Sequence, residues 1–192
     1  MHPSILPLLL TLFTLTTAFP NTTREFHLST RLLPNQPANK SSFDHLYLIP
    51  YHTGAGFNDV VLSPTLDPSV RAFFNGSKGA RPHHNLLFNL GNDFPWFMDM
   101  EAYTNFYAAW EPVGINVEFQ KPGGFFLNGT RLQWTSNPSD SIDQGTNIFA
   151  GWLVCDWWHG APQLFFRIAG YSIADYPAPS SCADVHLHAE FI

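Results

Sequence analysis

Asp156-Trp157-Trp158-His159 puts a carboxylate, two indoles and an imidazole into four consecutive positions. Tryptophan faces are platforms for sugar rings or other flat apolar ligands, and a neighbouring carboxylate and imidazole can orient such a ligand by hydrogen bonds. The tetrad lies within Asn147 to Ile168, NIFAGWLVCDWWHGAPQLFFRI. A strand over 148–158 places Phe149, Gly151, Leu153, Cys155 and Trp157 on one face and Ala150, Trp152, Val154, Asp156 and Trp158 on the other. Both faces are apolar except at Asp156, the pattern of a central strand covered on both sides. Asp156 is then either buried and paired, with Arg167 the nearest in-register cation, or at the mouth where the strand leaves the core. The tetrad reads either as a core hairpin with a satisfied carboxylate or as a ligand pocket built on Asp156, Trp157, Trp158 and His159.

Two further clusters carry possible chemistry. In Tyr51 to Asp59, YHTGAGFND, His52 and Asp59 flank a Gly-Ala-Gly that lacks the third glycine and the lysine of a phosphate cradle. This predicts a hairpin turn joining Phe43–Tyr51 to Phe57–Leu62, with His52 as a further ligand contact. Asp99 and Glu101 point the same way on a strand, roughly 7 Å apart. Paired carboxylates divide acid and base work in glycoside hydrolysis at separations of about 5 to 9.5 Å. Asp99, Glu101 and Asp156 are therefore the candidates for an extracellular hydrolase, with Glu111 a looser one.

His186 and His188 lie two apart and share a strand face with Asp184 and Glu190, a spacing that can chelate a metal. The opposite face, Val185, Leu187, Ala189 and Phe191, makes the alternation that of a solvated outer strand, so no metal site and no cofactor is assigned. No Gly-x-Ser-x-Gly elbow and no His-Glu-x-x-His helix occur, and the absence of these nucleophile and zinc signatures tilts the reading away from an enzyme.

The elements that must position these groups are strands. Short apolar runs alternate with period two at Phe26 and Leu28, Leu46 and Leu48, Val60 and Leu62, Leu132 and Trp134, and Val185 to Phe191. Turn formers separate them, most densely in PNQPANKSS (34–42) and SNPSDSIDQGT (136–146). The fold predicted is all-β, one antiparallel β-sandwich-like domain, with a closed barrel of the same strands as the alternative. One short helix is expected near 67–75, capped by Asp67, with Pro68 in its first turn and Gly76 at its end.

Met1 to Ala18, MHPSILPLLLTLFTLTTA, reads as a signal peptide with Thr16 and Ala18 at the cleavage site, leaving 19–192 as a single extracellular domain. Its apolar run is too short to serve as a stable membrane anchor. In an oxidising compartment Cys155 and Cys182 pair with each other, two free thiols or a zinc site being the alternatives. Acceptor sequons stand at Asn21, Asn39, Asn75 and Asn128. The net charge of −6 is scattered along the chain, which argues against a nucleic-acid partner.

The strings LYLIPYHTGAGFNDVVL (46–62), YAAWEPVGIN (107–116) and GWLVCDWWHGAPQLFFR (151–167), with Cys182 and the leader, resemble an uncharacterised family of small secreted proteins of filamentous fungi. The resemblance implies an extracellular, single-domain, β-rich fungal protein and carries over no catalytic residue. The function expected is non-enzymatic binding of a glycan or small apolar ligand by Asp156, Trp157, Trp158, His159 and His52. The alternatives are the hydrolase named above and an effector-like protein that works through an exposed protein-binding patch.

Overall fold

The alternating segments fold as strands that bury one side each. On β12 (Cys182–Phe191), Val185, Leu187 and Ala189 are buried while His186, His188 and Glu190 are partly exposed. On β3 (Phe57–Ser63), Val60 and Leu62 enter the same core. The structure is a computed structural model and describes residues 24–75, 83–101, 109–117, 123–137, 147–172 and 174–192. Residues 1–18, read above as a signal peptide, Asn21, Gly76 and most of the 136–146 segment read as a loop lie outside the described residues.

Closure joins the first and last strands of the described residues. β1 (Phe26–Leu32) pairs with β12 along its whole length, from Phe26 opposite Phe191 to Leu32 opposite Val185. The other edge of β1 forks, with Ser29 opposite Tyr47 of β2 (Tyr47–Gly54) and Phe26 opposite Ala72 of β4 (Arg71–Asn75). From β4 a meander runs through β5 (Asn85–Asn89), β6 (Trp96–Met100) and β7 (Trp110–Asn116). β11 (Pro162–Ile168) carries the second fork, Gln163 lying opposite Val61 of β3 and Phe165 to Arg167 opposite Pro112 to Trp110 of β7. β10 (Phe149–Asp156) then joins β11 to β12 and completes the circuit. The β2–β3 hairpin spans the two forks, and the hairpin of β8 (Phe125–Asn128) and β9 (Arg131–Trp134) attaches to β12 where His188 faces Arg131.

The result is a closed antiparallel β-barrel rather than the sandwich expected. Inward and outward alternation is the same in both architectures. Pairing the first described strand with the last is what separates them, because it removes the free edges that an open sheet would leave. The expected helix near 67–75 is also replaced. Asp67 Oδ1 does accept from the Ser69 amide (2.9 Å) and hydroxyl (2.6 Å), but the turn ends there. Residues 71–75 become β4 because β5 offers Ala72 to Asn75 a complete ladder. The only helix among the described residues is a short 3-10 helix at Ala38–Phe43, which takes up the end of the 34–42 segment read as loop and Phe43, read as the start of a strand.

β10 is covered on both faces, as its composition implied. Trp152 and Val154 point into the barrel, while Leu153 and Cys155 pack outside it with Phe165 and Cys182. The expected face assignment fails at one end. A bulge between Phe149 and Trp152 shifts the register, so Phe149 joins the barrel side with Trp152, their rings 4.8 Å apart. Gly151 sits in this bulge at φ +125°, a conformation that side chains with a Cβ rarely adopt.

Cys155 and Cys182 lie directly opposite each other on β10 and β12 and form a buried disulfide, leaving no free cysteine among the described residues. The bridge closes a 27-residue separation. On the chain-entropy model, the Cys155→Ala/Cys182→Ala protein should unfold with roughly 3–4 kcal/mol less stability, measured by urea titration against the oxidised wild type.

Candidate functional site

β10 ends at Asp156, and the chain leaves the ladder where the tryptophans begin. Trp158 is 73% exposed and Trp157 48% exposed, so neither belongs to the core. Trp157 keeps one edge contact with Phe165, at 5.5 Å and 75°, which continues the outer side of β10. Asp156 is exposed at the strand end opposite Pro162. It does not meet Arg167, which instead donates from Nε and Nη2 to the carboxylate of Asp184.

His159 is the fixed point beneath the tryptophans. Its side chain is fully covered, at 0% exposure, and its Nε2 donates to Asp59 Oδ2 at 2.5 Å. The imidazole lies against the Tyr51 ring (4.2 Å between centroids) and the Trp158 ring (3.8 Å). Its second nitrogen, Nδ1, is buried with no hydrogen-bond partner among the described residues. Tyr51 and Asp59 face each other across the β2–β3 hairpin, so one register position supplies both the carboxylate and the second ring.

That register position continues across the barrel wall. Asp59 lies opposite Gly114 of β7, and Gly114 lies opposite Asp99 of β6. Val60, Val113, Ile115, Met98 and Met100 all point inward, so Asp59, Gly114 and Asp99 share the outer face. A Cβ on Gly114 would come within 2.8 Å of Glu101 Oε1 and of Asn116 Nδ2. Both atoms are the ends of flexible side chains, and the bare backbone lets the Glu101 carboxylate lie over the strand. Asp59, Asp99 and Glu101 thus gather on one face beside His159. Glu111 points the other way, into the core with Val113 and Ile115.

His52 stands apart from this group. It follows Tyr51 on β2 and lies opposite Asn58, which places it on the other side of the strand. The residues that sequence reading passed over are Tyr51 and Gly114, together with Asp59 as the partner of His159. Asp59 left one signal, an acidic residue on a strand whose neighbours Val60, Val61 and Leu62 are all apolar. Asn39, Asn75 and Asn128 are all exposed.

On β12, His188, Glu190 and Asp184 are each engaged by a hydroxyl or a cation. His188 Nδ1 meets Thr130 Oγ1 at 3.0 Å, and Glu190 bonds Ser29 and the Arg31 guanidinium. Asp184 is engaged by Arg167. Among the described residues no group of three or more His, Cys, Asp or Glu is placed to hold a metal ion. Burial, with the charges of Arg131 and His188, pulls His186 below its ordinary value of 6.5. Burial, Arg31 and Arg131 do the same to His188 against an opposing pull from Glu190. Glu190 is lowered as well: burial would raise it, but hydrogen bonds from Ser29, Arg31 and Tyr47 and the Arg31 charge outweigh that effect.

Two outcomes follow from these contacts. Asp59→Ala strands the buried Nε2 of His159 and should cost roughly 1–3 kcal/mol in urea unfolding, with Asp59→Asn closer to wild type. His186 and His188 take up protons more readily in the unfolded chain. Their stabilisation is therefore complete above pH 6.5 and is lost as pH falls through their depressed folded values. The urea midpoint should drop between pH 7 and about pH 5, and the drop should shrink in His186→Gln/His188→Gln. The Glu190 contribution is lost only further into acid, below its ordinary 4.5.

Residues 23–191 match the family described as a domain of unknown function (DUF7907). No curated protein and no solved structure matches the chain.

Proposed function

The chain belongs to this family of unknown function, and from the geometry of its outer face we propose that it is an exported, non-enzymatic domain that binds a glycan or small apolar ligand on Trp157 and Trp158. The observation that carries the reading is the pairing of a 73% exposed indole with a fully covered imidazole. Trp158 offers its surface to solvent yet rests on His159, which Asp59 and Tyr51 hold in place. A ring supported in this way loses little freedom on binding, which is the condition for a flat platform to contribute affinity. Asp156, exposed one residue before Trp157, is the polar group within the tetrad that can orient a hydroxyl.

One observation favours a second reading. Asp59, Asp99 and Glu101 share a face around Gly114 with His159 alongside, which suits an extracellular hydrolase that uses a carboxylate pair. Asp156 drops out of that set, since alternation along β10 gives it the side of Trp152 and Val154, opposite to the outer face that carries the other carboxylates.

Trp158→Ala separates the readings. In a binding domain it should weaken retention on a glycan array by on the order of 2 kcal/mol, about thirtyfold in Kd, with the melting temperature unchanged. Unchanged retention by a folded Trp158→Ala protein would overturn the platform. Release of reducing sugar from the bound polymer, lost in Glu101→Gln, would establish the hydrolase instead.

A further inference from the structure

A second concavity lies on a different part of the barrel and shares no residue with the tryptophan platform. It arises from the way β12 changes partner along one edge. Cys182 to Val185 pair with β10, and His188 then faces Arg131 of β9. Between these positions β10 and β9 share no ladder, the Trp152 indole reaching across to the Leu132 carbonyl, and β10 carries its bulge at Ala150 and Gly151. The opening is a cleft of ≈ 420 Å³. That volume falls within the range of small-ligand sites, about 300–1,000 Å³.

Its walls are aromatic and its polar groups are balanced. Phe126, Trp134 and Phe149 line it together with Gln133, His186 and the Arg167–Asp184 pair, and Phe126 and Gln133 stand directly opposite each other on β8 and β9. Arg167 and Asp184 are buried and bonded to each other through two hydrogen bonds, so they add donors and acceptors but no net charge. Burial, with the charges of Arg131 and His188, holds His186 below its ordinary value. The lining itself offers a charged ligand no unpaired partner. A ring with one apolar face and several hydroxyls would find both kinds of contact.

Asn128 is part of the same lining. It is exposed beside the two-residue turn of the β8–β9 hairpin and begins the sequon Asn128-Gly129-Thr130. Phe126, two residues earlier on β8, shares its face. A glycan attached to Asn128 would leave the chain at the edge of the cleft, with the Phe126 ring beside its first sugar.

We propose that this cleft is a site for an uncharged pyranose, supplied either by a glycan carried on Asn128 or by a free saccharide. The attached source rests on the export proposed above; the free source does not.

The test uses full-length protein from a secreting eukaryotic host, with Trp158→Ala present throughout so that the platform does not contribute. Diacetylchitobiose, cellobiose and mannobiose are titrated by calorimetry into this protein and into the same protein carrying Asn128→Gln. Ala150→Phe, at an exposed position of the cleft wall, is the blocking variant, and His186→Ala is a second variant should the first not fold. Saturable binding to the Asn128→Gln protein, weakened at least tenfold by Ala150→Phe or His186→Ala, is the result expected. If mass spectrometry finds Asn128 occupied and only the Asn128→Gln protein binds, the glycan of the chain itself fills the cleft. Equal binding with and without Asn128 identifies a free saccharide and holds even if Asn128 is unmodified. No saturable binding of any of the three sugars to the Asn128→Gln protein, or binding indifferent to both cleft variants, would overturn the proposal.

Discussion

β12 is hydrogen-bonded along both edges, and the remaining architecture depends on that. One edge takes β1 over its full length, joining the two ends of the described chain. The other takes β10 and then β9. The Cys155–Cys182 bridge lies at directly opposed positions and fixes the register of β10 on β12. With that register set, Trp152 and Val154 face the barrel, Leu153 and Cys155 face outward, and β10 ends where Asp156 reaches solvent. Closing a sheet in this way pairs the first and last described strands with each other, at the cost of bringing together residues more than a hundred positions apart in sequence.

Partner changes along single strands create the places where chemistry-bearing side chains gather. β1 divides its free edge between β2 and β4, β11 divides its edge between β3 and β7, and β12 divides its edge between β10 and β9. At the β11 fork the β2–β3 hairpin comes beside β7, which brings Tyr51 and Asp59 into line with Gly114 and Asp99. At the β12 fork the wall opens between β10 and β9. Both concentrations of chemistry therefore sit where the ladder is interrupted, since an unbroken wall presents only short alternating side chains.

The outer site joins a buried polar pair to an exposed aromatic one. A covered imidazole is costly to bury unless it is bonded, and the Asp59 carboxylate meets that need at Nε2. The bond holds His159 in one orientation, and Trp158 inherits that order through ring contact although most of its own surface is in water. Gly114 has the complementary part, since its missing side chain is what admits the Glu101 carboxylate to the same face.

Much of this could be read from the chain alone, for a local reason. Alternation at Val60 and Leu62 or at Val185, Leu187 and Ala189 states which face of a strand is buried, and those faces are buried in the barrel. The two-sided covering of β10, the hairpin turn at Ala55 and Gly56 and the pairing of the only two cysteines were legible in the same way. Tertiary structure decided what lies beside what. A period of two does not say which strand is the neighbour, so a sandwich and a barrel share one pattern and only the pairing of β1 with β12 separates them. Residues 71–75 became a strand, against a sound helix start at Asp67, because β5 was there to pair with. Asp59 and His159 are 100 residues apart and meet only after the sheet has closed, while His52, adjacent in sequence to Tyr51, is turned away by the alternation of the strand itself. Face is a property of the local backbone, but neighbourhood is a property of the closed sheet, and the candidate site is made of neighbours.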